Sequence, residues 1–214
     1  MNQDNIIKIY ARNDNRIQLK MIPGHFVTSQ SHITHYLDLT TMKSRCAEAQ
    51  RIASALAANY EASIPVDTIV CMDGLEVIGA YLAEELTKAG VLSMNAHQTI
   101  YVITPEYTSG SQIILRDNLA PMVKGKHVLI LAASITTGYT AQAAIEAVNY
   151  YGGVVAGLSA IFATTHECLG IPVTSIFDPS SLPDYASFDS RDCPMCKAGQ
   201  HIDALVNSFG YSAL

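Results

Sequence analysis

Positive charge is in short supply in this 214-residue chain: thirteen Lys and Arg against nineteen Asp and Glu leave a formal net charge of −6. Nothing in that balance attracts nucleic acid or an anionic membrane as a partner, and a local anion site must work against the overall field. No stretch approaches the ~18 consecutive apolar residues of a membrane span. The opening MNQDNIIKIYARND has no apolar core of a secretory signal, so a cytoplasmic protein is expected. The five cysteines are an odd number without the spacing of a disulfide scaffold, which agrees with reduced thiols. No Gly-x-Gly-x-x-Gly opens a helix and no Gly-Lys-Ser/Thr occurs, so a dinucleotide-binding fingerprint and a triphosphate P-loop are both set aside. Internal repeats, low-complexity tracts and long linkers are absent too.

What remains is a chain with 49% hydrophobic and 15% charged residues, enough for one domain with a core of its own. Its most informative stretch runs from His127 to Tyr151. An apolar run, Val128 to Ala133, meets Ser134-Ile135-Thr136-Thr137-Gly138-Tyr139-Thr140, and a helical pattern follows. A buried strand thus feeds a helix whose first amides have no partner inside the helix, which suits an anion. Hydroxyls at Thr136, Thr137 and Thr140 add donors around one phosphate. A capped strand–helix turn without a ligand is the alternative reading of the same residues.

The rest of the chain supplies more strands and helices. Residues 1–22 read as a short helix or a strand pair, and Gly24 to Leu39 as a hairpin of two strands. Met42, Cys46, Ala49, Ile52, Ala53, Leu56 and Ala57 form one helical stripe ending near Asn59. A strand from Val66 to Met72 then leads through Asp73-Gly74-Leu75-Glu76 into a helix, Val77 to Lys88, with Gly90 as its C-cap. Further strands are expected at Thr99 to Thr104, Gln112 to Leu115, Val154 to Phe162 and Val173 to Phe177. Apolar strands alternating with amphipathic helices predict a parallel sheet covered on both faces, with ligands outside the carboxyl ends of its strands. Two turns qualify, Asp73 to Glu76 and Ser134 to Thr140.

Two groups of metal-ligating residues need weighing. His25, His32 and His35 fall within eleven residues but have no cysteine or carboxylate at ligand spacing, so strand or surface histidines are the expectation. Cys193 and Cys196 form a CxxC pair. Free thiols in a C-terminal loop, a redox pair, or half of a zinc site completed by Cys168, His166 or a second subunit are the alternatives.

At the two turns and the hairpin the chain resembles the type I phosphoribosyltransferases, and within them the orotate branch. The residues that carry the likeness are the strand and turn Val128 to Thr140, Gly24-His25-Phe26 with Ser29 to Tyr36 behind it, and Cys193 to Lys197 near the end. The resemblance implies an α/β fold with a central, mostly parallel sheet and helices on both faces. It implies a single domain over residues 1–214: a small β-containing hood at 1–40, an α/β core at 41–178 and a C-terminal tail at 179–214. It also implies a homodimer and a small phosphorylated ligand, a nucleoside monophosphate or phosphoribosyl pyrophosphate (PRPP). Thr136, Thr137, Gly138, Tyr139 and Thr140 would hold its 5-phosphate.

The departures from the family pattern are as informative. The acidic pair that in the family binds the ribose hydroxyls and helps place the magnesium-bound substrate falls on Ala132 and Ala133. The pyrophosphate-wrapping loop falls on Met72-Asp73-Gly74-Leu75-Glu76, where two carboxylates repel a polyanion. The basic catalytic loop corresponds to Val102 to Gly110 and retains only the glycine, and an arginine near the base falls on or near Thr164. Methyl groups neither accept hydrogen bonds nor stabilise a cationic transition state. The expectation is therefore an orotate phosphoribosyltransferase-like protein with little or no ordinary transfer, requiring magnesium if catalytic. A non-catalytic sensor of a nucleotide or phosphometabolite is the alternative.

Overall fold

Alternating apolar and polar residues near the start make strands, and in the computed structural model they make three: β1 (Ile7–Tyr10), β2 (Gln18–Val27) and β3 (His32–Asp38). The structure describes residues 5–60, 64–88, 94–95, 99–108, 112–182 and 184–214. β2 pairs antiparallel with β1 and with β3, so the opening residues form a strand pair and the expected hairpin is present, starting earlier than Gly24. Its register slips between Pro23 and Phe26. This bulge buries the consecutive residues His25 and Phe26 together, which plain alternation forbids. Glycine is needed at 24, because a Cβ there would lie 2.7 Å from an Asp203 carboxylate oxygen and 2.7 Å from the Phe26 ring.

The stripe expected as a single helix is broken. Arg45 takes an extended conformation and separates α1 (Thr40–Ser44) from α2 (Cys46–Ala57). Met42, Ala49, Ile52, Ala53 and Leu56 are buried as expected, whereas Cys46 faces solvent. β4 (Thr68–Cys71), α3 (Glu76–Lys88) and β5 (Tyr101–Ile103) follow, and Gly90 lies outside the described residues. Among the described residues β6 (Glu106–Tyr107) and β7 (Ile113–Ile114) pair only with each other, so the strand expected near Gln112 is a ribbon apart from the main sheet. Gly110, between them, is also outside the described residues.

The chain then enters β8 (His127–Ile135), α4 (Tyr139–Tyr150), β9 (Val154–Ala163), β10 (Glu167–Cys168) and β11 (Ile171–Phe177). The main sheet has the order β10-β11-β9-β8-β4-β5 and is parallel except for β10. β8 shows why both faces must be covered. Leu129, Leu131 and Ala133 point into a core shared with α2 and α3, while Val128, Ile130 and Ala132 point into a second core beneath α4. A strand apolar on both sides cannot leave either side to water.

Residues 179–214 are no loose tail. They form β12 (Ser187–Phe188), the short turn of helix α5 (Pro194–Lys197), β13 (Ala204–Asn207) and β14 (Gly210–Ala213). β12 pairs with β3, and β13 runs parallel to β2, so the hood is a sheet of order β12-β3-β2-β13-β14 with β1 also on β2. Its own small core joins Ile22, Phe26, Ile33 and Tyr36 from one end of the chain to Ala204 from the other. Among the described residues no helix is long and apolar enough to cross a membrane.

Candidate functional site

The parallel strands β4, β5 and β8 end on the same side of the sheet, which brings Met72–Glu76, Thr104 and Thr136–Thr140 to one edge. Gly138 is the N-cap of α4 with φ 81°, a left-handed backbone that glycine adopts without penalty. No side chain caps this helix. The first helical hydrogen bond is donated by the Gln142 amide to the Gly138 carbonyl at 2.8 Å, which leaves the amides of Tyr139, Thr140 and Ala141 without an intrahelical acceptor. Thr137, Tyr139 and Thr140 are exposed. The turn is braced from behind by Thr164, whose amide donates to the Ile135 carbonyl at 2.9 Å and whose hydroxyl donates to the Thr136 carbonyl at 2.7 Å. Cys168 sits beside Gly138, its Sγ 4.0 Å from the carbonyl oxygen.

Across the edge lies the Asp73 turn. Asp73 and Gly74 both have positive φ, 59° and 75°, so the chain reverses tightly between β4 and α3. An Asp73 carboxylate oxygen accepts from the Ala133 amide at 3.4 Å. Lys43, from α1, donates its Nζ to the Asp73 carbonyl at 2.8 Å and to the Ser208 carbonyl at 3.1 Å. Burial pushes the Asp73 carboxyl up, with Lys43 and the Ala133 amide pulling the other way; burial also pulls the Lys43 amine down. Burial together with the Asp73 charge raises the Tyr107 phenol to about 12. Glu76 accepts from the Thr104 hydroxyl at 2.8 Å. Lys43 carries no signal in the sequence: only the fold brings its ammonium to this turn.

A second constellation lies in the hood. His25 and His32 on the β2–β3 hairpin meet Cys193 and Cys196 at the α5 turn, with all four candidate ligand atoms within 4.8 Å of one another. The histidines are strand residues as expected, but His25, His32 and His35 are buried rather than at the surface. The side chains that meet the CxxC pair are these histidines, whereas Cys168 lies by the Thr136–Thr140 turn. His25 and His32 are separated from the cysteines by more than 160 residues, so no ligand spacing in the sequence reports them.

No family model matches the chain. Among curated proteins it is similar to the orotate phosphoribosyltransferase of Pelotomaculum thermopropionicum, 25% identical over 201 residues that cover 93% of this chain and 94% of that protein. The orotate phosphoribosyltransferase of Sulfurimonas denitrificans is 27% identical over 210 residues, covering 91% and 94%. Among solved structures, UMP synthase of Leishmania donovani superposes with a TM-score of 0.54 at 19% identity, over 76% of this chain and 34% of that longer one. Adenine phosphoribosyltransferase of Trypanosoma brucei gives 0.51 at 15% identity, over 80% of each chain. The fold is that of the type I phosphoribosyltransferases. Within this phosphoribosyltransferase fold the departures become geometric. Ala132 and Ala133 are buried at 3% and 6% exposure, each in a different core, and offer no side-chain oxygen to a ribose or a cation. The magnesium that the resemblance implies has no ligand there. Among the described residues Asp73 and Glu76 gain no third ligating side chain either. Arg116, downstream of the degenerate loop, is already engaged, donating Nε and Nη2 to Glu106 at 3.0 and 2.6 Å.

Proposed function

We propose that this orotate phosphoribosyltransferase-like protein binds a 5-phosphoribosyl ligand, a nucleoside monophosphate or PRPP, through its phosphate at Thr136 to Thr140. The observation that carries the reading is the open head of α4. Three amides without an intrahelical acceptor and the exposed Thr137 and Thr140 stand at the carboxyl edge of the sheet, held in place by Thr164. A tetrahedral anion satisfies such donors at once, and the helix dipole adds to the attraction.

In this reading PRPP-dependent transfer to orotate is slow or absent. Each oxyanion-type contact is commonly worth ~3 kcal/mol, about a hundredfold in rate. Ala132 and Ala133 supply none, and Val102 to Ser111 contains no Lys or Arg to neutralise a leaving pyrophosphate. A non-catalytic sensor of a pyrimidine nucleotide or related phosphometabolite is the second reading, favoured by the sealed alanines and the carboxylate at Asp73. The relatives' names favour the enzyme of pyrimidine metabolism. A cytoplasmic homodimer belongs to the same proposal, and sedimentation of the purified protein tests the dimer.

Calorimetry against orotidylate, uridylate, PRPP and inorganic phosphate tests the ligand, and pyrophosphate release from PRPP, orotate and magnesium tests the chemistry. Monophosphate binding that is weakened in Thr137→Val, with no preference for PRPP, supports the sensor. Turnover at ordinary rates of ~1–1000 per second overturns the loss of transfer. No binding of any phosphate compound overturns the whole reading.

A further inference from the structure

The hood holds four side chains whose polar atoms converge on one point. His25 Nε2 has His32 Nδ1 at 3.0 Å, Cys193 Sγ at 3.6 Å and Cys196 Sγ at 3.6 Å, and Cys196 Sγ lies 3.3 Å from His32 Nδ1. The other nitrogen of His25, Nδ1, faces the Gln200 carbonyl at 3.2 Å. A carbonyl only accepts, so Nδ1 carries the proton and Nε2 presents one lone pair. One lone pair makes one good hydrogen bond, yet three polar atoms crowd it. One cation at the centre satisfies all four groups.

We propose that His25 Nε2, His32 Nδ1, Cys193 Sγ and Cys196 Sγ form a structural zinc site that ties the C-terminal segment to the hood hairpin. Four of the spacings, 3.0, 3.3, 3.6 and 3.6 Å, lie within about 0.4 Å of those the ion requires. With Zn–N of ~2.05 Å and Zn–S of ~2.3 Å, a tetrahedral centre puts its ligand atoms roughly 3.4 Å apart for N···N, 3.6 Å for N···S and 3.8 Å for S···S. Two thiolates and two imidazoles in that geometry select zinc over the harder oxygen-seeking cations. The shell around the ligands is also in place. The Gln200 carbonyl fixes the His25 ring, and the His25 amide donates to an Asp203 carboxylate oxygen at 2.7 Å. The α5 turn supplies both sulfurs, and it is followed by Gly199 at φ 70°, which sends the chain back past His25 to Gln200.

The mechanical consequence follows from the topology. β13 starts soon after this turn and joins β2, and the hairpin it makes with β14 carries Ser208, whose carbonyl receives Lys43 Nζ. Zinc would thus close the hood on the same segment that anchors Lys43 over the Asp73 turn. This proposal does not depend on which phosphate ligand is bound, because its test counts metal rather than nucleotide.

The test is metal analysis of the full-length protein, expressed with zinc supplied and purified without chelator, together with cobalt(II) replacement. Expected are about one zinc per chain, released stoichiometrically when an organomercurial titrates the thiols, and the intense visible bands of a tetrahedral cobalt–thiolate centre. Cys196→Ala and His32→Ala should each lower the zinc content severalfold. Should these variants fail to fold, the wild-type cobalt spectrum still decides. Zinc near zero, an octahedral cobalt spectrum without thiolate bands, or undiminished zinc in folded Cys196→Ala overturns the proposal.

Discussion

An acid restored at position 133 should cost stability in a pH-dependent manner, because Asp73 already places a carboxylate there. The Asp73 oxygen lies 3.4 Å from the Ala133 amide nitrogen. A carboxylate on residue 133 would stand about 5 Å from it, and like charges at that distance repel by ~3 kcal/mol at an effective dielectric of ~20. Burial already pushes the Asp73 carboxyl up. The second charge pushes the titration of the pair further up. A carboxyl with a raised folded pKa keeps its proton in the native state after the unfolded chain has lost it. Stability is then intact below the unfolded value of about 4, falls as pH rises towards the raised folded pKa, and stays low above it. Ala133→Asn, with the same shape and no charge, subtracts the cost of filling the site. Ala133→Asp should therefore match Ala133→Asn near pH 4 and be ~3 kcal/mol less stable near pH 7–8, a loss of roughly 6–12 °C in Tm for a chain of this size. Urea and thermal unfolding followed by circular dichroism at each pH measure the difference. Equal stabilities of the two variants at neutral pH would refute the reasoning.

Two further outcomes follow from contacts elsewhere. Thr164→Val removes the hydroxyl that holds the Thr136 carbonyl at 2.7 Å; a hydrogen bond of this kind contributes ~1 kcal/mol, so monophosphate affinity should fall about fivefold while the fold is kept. Unchanged affinity by calorimetry would show that Thr164 does not brace the turn. Gly79→Ala places a Cβ onto the buried Cys71 Sγ, where α3 packs on β4. Overpacking there should cost ~1–3 kcal/mol in urea unfolding, and adding Cys71→Ala should recover part of it.

Much of the core was legible in the sequence because its physics is local. β8 reads as a strand buried on both faces from its unbroken apolar run, and Gly138 marks the helix start because a left-handed residue is needed there. The break at Arg45 was not legible: the apolar stripe on either side continues in helical register, and only the packing of α1 apart from α2 requires an extended residue between them. The C-terminal strands were hidden for a related reason. Ala204 to Asn207 is short and carries a weak pattern, and it becomes a strand by lying beside β2, a partner nearly 180 residues earlier in the chain.

The sequence by itself determined which residues could form the parallel sheet and where a phosphate could sit, and its resemblance to the family implied that the acidic pair and the basic loop are gone. The first two properties live in side-chain type and short-range periodicity. Only the tertiary structure decided what stands in the vacated positions and where the histidines lie. Asp73 reaches the Ala133 amide across two adjacent strands, and Lys43 reaches Asp73 from a helix thirty residues away. His25 and His32 meet Cys193 and Cys196 because a bulge at Gly24 turns His25 inward and the chain's end folds back onto its beginning. Convergence of four ligands is a property of distances in space, and a linear spacing carries no record of it.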